Sequence, residues 1–153
     1  MKFLPALALL LSFAPAPACA QRAREFGLQS IVTVSHSTFG GGGLYAALRL
    51  GERARVAGLA WLGGSEGHAI GRGEVLGNFL LSPSKSRGVG WYGIGGVAWA
   101  GGQREQGYVV LGLGIESRPG ASSGWAVEAG VGGGFRTTAG YRWRWFARRP
   151  GVK

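Results

Sequence analysis

Aspartate is absent from this 153-residue chain, and all seven of its acidic residues are Glu. Cysteine occurs once, at Cys19, and histidine only twice, at His36 and His68. One cysteine excludes a disulfide framework and a cysteine-held metal centre. Two histidines without Asp or Cys nearby do not make a metal site of any usual donor set. No G-x-S-x-G is present, and no helix follows the many GxG groups to turn them into phosphate loops. Beyond the first twenty residues no uninterrupted apolar run approaches ~18 residues, so no transmembrane helix is expected.

The front end is different. Lys2 precedes the apolar run Phe3 to Ala14, and the small triplet Ala18-Cys19-Ala20 follows. This is the pattern of a secretory signal peptide over residues 1–20, cut after Ala20. Lipidation at Cys19 is the competing reading, and Pro17 fits that signal poorly. About 130 residues then remain, enough for one domain over 21–153 with a short C-terminal tail from about 147.

What the chain has in quantity is glycine (31 residues), together with six Trp, four Tyr and a net charge of +10. Its apolar residues recur with a period near two. In Tyr108 to Ser117, Val109, Leu111, Leu113 and Ile115 alternate with Val110, Gly112, Gly114 and Glu116. A helix this rich in glycine is disfavoured, whereas strict alternation is a strand signal. Turn signals separate strands placed near 27–36, 43–50, 54–63, 73–81, 89–100, 107–117, 125–135 and 138–146. Segments of about ten residues suit a tilted strand crossing a bilayer. One face carries aliphatic and aromatic residues, the other glycine, small residues and a few charges. A soluble barrel or sandwich would put its apolar residues inside instead. The fold class expected is therefore all-β: a single antiparallel transmembrane β-barrel of about eight strands.

With the signal sequence, the stretch Gly112 to Gly132 and the terminal "GYRWRW" (Gly140 to Trp145), the chain resembles the small Gram-negative outer-membrane β-barrels, of which the OmpA and OmpX transmembrane domains are typical. The resemblance implies an outer-membrane location and insertion by the outer-membrane assembly machinery, which reads an outward aromatic at the end of the last strand. The family pattern ends in Phe. Here Trp145 has the outward parity, Phe146 does not, and the chain continues.

The aromatics Trp91, Trp99, Trp125, Tyr141, Trp143 and Trp145 are candidates for interfacial girdles. Trp91 and Trp99 lie eight residues apart, roughly 26 Å along a strand. Most basic residues, including Arg22, Arg24, Arg53, Arg55, Lys85, Arg87 and Arg118, fall at the end that holds the termini. Arg72, Arg104 and Arg136 fall at the other rim, near Glu66, Glu74 and Glu105. Such a ring matches anionic lipid head groups, not a nucleic-acid groove. Arg142 and Arg144 lie mid-strand on the inner face, where Arg49, Glu116, Glu128, Arg142 and Arg144 are expected to form a lumen ion network. Strands seven and eight, paired about residue 136, would set Glu128 opposite Arg144.

His36, His68, Ser35, Ser37, Ser65, Glu66 and Glu74 cluster near the outer loops, but in no hydrolase order. The functional expectation is a monomeric envelope protein with a structural or interaction role, outer-membrane lipids as its surroundings, and neither cofactor nor small-molecule substrate. A lipid-modifying enzyme acting on lipid A or phospholipid is the alternative, and a secreted soluble β-protein or lipoprotein the second.

Overall fold

The computed structural model describes residues 23–101 and 105–146. The expected signal peptide, its cleavage point, Cys19, Arg22, Arg104 and the tail from 147 lie outside the described residues. Eight strands follow one another: β1 (Ala23–Val34), β2 (Thr38–Arg49), β3 (Ala54–Ser65), β4 (His68–Leu80), β5 (Val89–Gly101), β6 (Gln106–Ser117), β7 (Ser123–Val131) and β8 (Phe135–Phe146). Each pairs antiparallel with its neighbours, and β1 pairs with β8 from Ala23↔Phe146 to Val34↔Phe135, so the sheet closes into a barrel. A twelve-residue strand is about 40 Å long, which at the usual tilt covers a hydrocarbon core.

Alternation decides the two faces. Along β1 every second residue from Ala23 is buried and every intervening one exposed. The outward set across the barrel includes Leu28, Leu44, Leu62, Val109, Leu111 and Leu113, with Leu62 at 78% exposure and Val109 at 68%. An apolar belt this continuous does not persist on a soluble monomer; it is the lipid-facing band of a transmembrane barrel.

Inside, the wall is built from large residues set against glycines on the next strand. Trp61 faces Gly43 and Tyr92 faces Gly114 across strand pairs. A Cβ at Gly43 would come within 2.6 Å of the Trp61 ring, and one at Gly114 would strike the Tyr92 ring. With Ile31, Tyr45, Leu59, Leu76, Ile94 and Val110, these rings form an apolar cluster inside the lumen.

Most strands begin earlier than the sequence pattern places them, β3 and β5 begin as expected, and β7 ends four residues sooner. Thr38–Gly42 and His68–Arg72 are strand, although their glycines read as turn. The last hairpin differs most. Its turn is Gly132–Gly134, with Gly133 at φ 77° and Gly134 at φ 140°, values that favour glycine. Arg136-Thr137-Thr138 is therefore strand, and Val131 pairs with Phe135. Three glycines in a row take the positive-φ positions more readily than Arg-Thr-Thr, so the hairpin pivots three residues earlier than expected.

The two ends are unlike. Away from the termini the connections β1–β2 and β3–β4 span only Ser35–Ser37 and Glu66–Gly67. At the terminus-bearing end, residues 81–88 and 118–122 are longer and bond to each other through Arg118 N–H to the Gly88 carbonyl and Gly120 N–H to the Lys85 carbonyl, both 2.8 Å. Pro119 is buried beneath them. Arg49 secures this cap from inside, donating from Nη2 to the Pro119 carbonyl at 2.9 Å and from Nη1 to the Pro83 carbonyl at 3.4 Å.

Candidate functional site

Among the described residues the lumen contains four buried Glu (25, 74, 116, 128) and six buried Arg (49, 55, 72, 136, 142, 144). They form one continuous sequence of ion pairs along the barrel. From the capped end, Glu25 meets Arg49 at 2.8 Å and Arg55 at 3.0 Å. Arg55 also meets Glu116 at 2.9 Å, and Glu116 meets Arg144 at 2.9 Å and Arg142 at 3.7 Å. Arg142 passes to Glu128 at 2.5 Å, Glu128 to Arg136 at 3.4 Å, Arg136 to Glu74 at 3.2 Å and Glu74 to Arg72 at 2.9 Å. Neutral partners fill the remaining valences. Tyr92 and Thr138 donate to Glu128 at 2.9 and 3.2 Å. Matching donors to acceptors turns the Gln29 amide oxygen to Arg142 (2.9 and 2.7 Å) and that of Asn78 to Arg55 (3.1 Å). Guanidinium planes also lie against rings: Arg142 is 4.1 Å from the Tyr45 centroid, and Arg55 is 4.8 Å from that of Tyr92.

All five residues expected in the lumen network thus lie in this system, but with different partners. Glu128 sits opposite Thr138, not Arg144, because of the earlier hairpin pivot. Arg142 reaches it instead through the length of its side chain. Arg55 is not part of the basic ring at the terminus-bearing rim but buried in the lumen, and Arg72, Glu74 and Arg136 are likewise interior. Glu25 was missed because the first strand was begun at residue 27. Its signal was available: Glu25, Gly27 and Gln29 continue the inner parity of β1 back by one turn of the pleat. For Arg55 and Arg72 parity alone did not serve, since both faces of β3 and β4 carry apolar and glycine residues.

All six proposed girdle aromatics are exposed on the outer surface. Trp91, Trp125, Tyr141, Trp143 and Trp145 crowd toward the terminus-bearing end together with Phe26 and Phe79. Trp99 lies at the other end, its ring over Gly73 of the neighbouring strand. Phe146, of inner parity, lies 5.6 Å beneath the Arg49 guanidinium at the capped end.

At the end away from the termini the barrel opens into a cup of about 820 Å³. His68, Ser35, Ser37, Ser65 and Glu66 line it. They form no catalytic relay. His68 Nδ1 is 3.1 Å from the Glu66 carbonyl, and no hydroxyl or carboxylate bonds to either histidine among the described residues. Glu74 is held below, between Arg72 and Arg136.

This closed eight-strand architecture has a counterpart among solved structures. The crystal structure of the N-terminal β-barrel domain of Pseudomonas aeruginosa OprF matches 82% of this chain and 99% of its own, with a TM-score of 0.60 and 11% identity. The two share a fold. At that identity the likeness to the OprF barrel is one of architecture, and the lumen residues are argued from this chain alone. No protein-family model and no curated protein sequence matches the chain.

Proposed function

We propose that the protein is an outer-membrane β-barrel whose lumen is closed to solutes and whose role at the envelope is structural or one of interaction. One observation supports the reading: below the cup, ten ion-paired charged side chains and the rings of Tyr45, Trp61 and Tyr92 are buried inside the barrel, and residues 81–88 and 118–122 bond to each other across its terminus-bearing end. Burying ten charged side chains is costly, and breaking any pair leaves a charge uncompensated. The return is specification. Slipping one strand by a residue would turn its charges to lipid and its leucines to the lumen, so the network supports a single register as well as a plug. The protein works as a monomer, reaches the membrane through its N-terminal signal, and is inserted by the assembly machinery through the outward aromatics of β8. In planar bilayers the purified barrel is expected to give no discrete current steps. Regular single-channel steps that vanish on removal of the protein would overturn the plugged lumen.

The same reading gives the basic rim a task. Arg24, Arg53, Lys85, Arg87 and Arg118 are all exposed at the terminus-bearing end, with only Glu52 against them among the described rim residues. Their partner is the anionic head group of the adjacent leaflet, held by screened attraction. Folding into vesicles should be faster when phosphatidylglycerol is included, and the gain should shrink with salt and with Arg53, Arg87 and Arg118 changed to Gln. An equal gain in the triple variant would remove the rim from the account.

A further inference from the structure

The cup is the part of the lumen that the plug does not use. Its volume falls in the range of small-molecule sites, and its chemistry is mixed. Phe39, Ile70 and the Tyr108 ring supply apolar surface, while Thr33, Ser65 and Gln106 supply hydroxyls and an amide. Thr33 is only 4% exposed, yet its Oγ1 has no hydrogen-bond partner. An orphaned buried hydroxyl is uncommon, because leaving such a group unpaired is costly. Tyr108 donates its hydroxyl proton to Gln106 Oε1, which leaves the Gln106 amide nitrogen and the tyrosine oxygen lone pairs uncommitted in two residues that line the cup.

Charge narrows the ligand. Among the described residues Arg72 at the floor is the one guanidinium lining the cup, and two of its nitrogens are engaged: Nε with Glu74 at 2.9 Å and Nη2 with the Gly132 carbonyl at 2.8 Å, while its Cζ lies 5.8 Å from the Tyr108 centroid. Among the described residues an anion would find neutral hydroxyls and an amide but only this one, already paired, cation, and it would meet Glu66 at the rim. The geometry points to a binding site for a neutral saccharide unit, whose C–H faces rest on Phe39, Ile70 and Tyr108 and whose hydroxyls pair with Thr33, Ser65 and Gln106. Alternating apolar faces and hydroxyls are what a sugar ring presents, and this wall offers both within one cavity. The site stands independently of the plug below it.

The test is saturation-transfer NMR on the whole barrel folded in a polyoxyethylene detergent, which carries no sugar head group. Maltose, cellobiose and N-acetylglucosamine are the probes, with glucose 1-phosphate as the anionic comparison. Saturable transfer from at least one neutral sugar is expected. Thr33→Val, which keeps shape and removes the hydroxyl, should weaken it roughly three- to tenfold, and Ser122→Ala at the capped end should not. Ala100→Trp and Ser37→Trp, which fill the cup from the wall and the rim, should abolish it. Folding of each variant is read from its heat-dependent gel mobility, and Ser37→Trp, on an exposed turn, serves if Ala100→Trp does not fold. No saturable binding of any neutral sugar, binding that survives in a folded cup-filling variant, or binding of the phosphorylated sugar alone would each overturn the proposal.

Discussion

Glu116→Gln is expected to lower the unfolding free energy of the detergent-folded barrel by about 3–5 kcal/mol, the usual cost of removing one partner from a buried ion pair. The change keeps the side chain's volume, so the loss is electrostatic. Glu116 is the carboxylate shared by Arg55, Arg144 and Arg142, at 2.9, 2.9 and 3.7 Å. Among the described residues the lumen already holds six guanidiniums against four carboxylates, and the variant leaves six against three. Adding Arg144→Gln should recover part of the loss, because one of the stranded cations goes with it. The recovery is partial, since Arg144 also lies 3.8 Å from Glu25. Denaturant titration of the two single variants and the double variant gives the coupling. Strictly additive losses would mean that the pair does not act as one. Glu52→Gln, in the exposed β2–β3 connection, should move stability by less than about 0.5 kcal/mol.

The second large effect concerns volume. Gly114→Val should cost more than the ~1–3 kcal/mol typical of an overpacked core and should leave much of the protein without the mobility shift of a closed barrel. The first added carbon would fall on the Tyr92 ring. That ring cannot swing aside cheaply, because its hydroxyl donates to Glu128 and the Arg55 guanidinium lies over its face. Displacing it therefore disturbs packing and the ion network together. Tyr92→Ala should make Gly114→Val far less damaging by clearing the space. If Gly114→Val alone folds with unchanged stability, the close approach of this pair does not limit the wall.

Much of the barrel was legible because the two faces of a lipid-embedded strand differ in kind. The alternation of Val109, Leu111 and Leu113 with Gly112, Gly114 and Glu116 is enough to set the face of β6, and Arg142 and Arg144 between Tyr141, Trp143 and Trp145 set that of β8. Glycine was the source of the errors. Gly40–Gly42 and Gly71 read as turns, yet they lie within strands, where Gly41 leaves no room for a Cβ beside the Leu62 carbonyl. Among the described residues only at Gly132–Gly134 does a glycine run bend the chain, and a single sequence does not separate the two uses. The lumen partners depended on that pivot. With it misplaced, Glu128 was set against Arg144, although the membership of both in the interior survived because parity does not depend on where the hairpin turns. The cup was illegible for another reason: Thr33, Phe39, Ser65, Ile70 and Tyr108 come from five strands and converge only on closure.

The pairing of each large lumen ring with a glycine on the adjacent strand also dictates how such a wall can change through descent. Neither member of Gly114 and Tyr92, or of Gly43 and Trp61, can be exchanged freely while the other stays as it is. Lineages of this barrel should therefore trade volume across the hairpin, a side chain gained at 114 accompanied by one reduced at 92, while the lipid-facing leucines and valines beside them drift independently. Ancestry would be written in the inner face as matched pairs and in the outer face as little more than hydrophobicity.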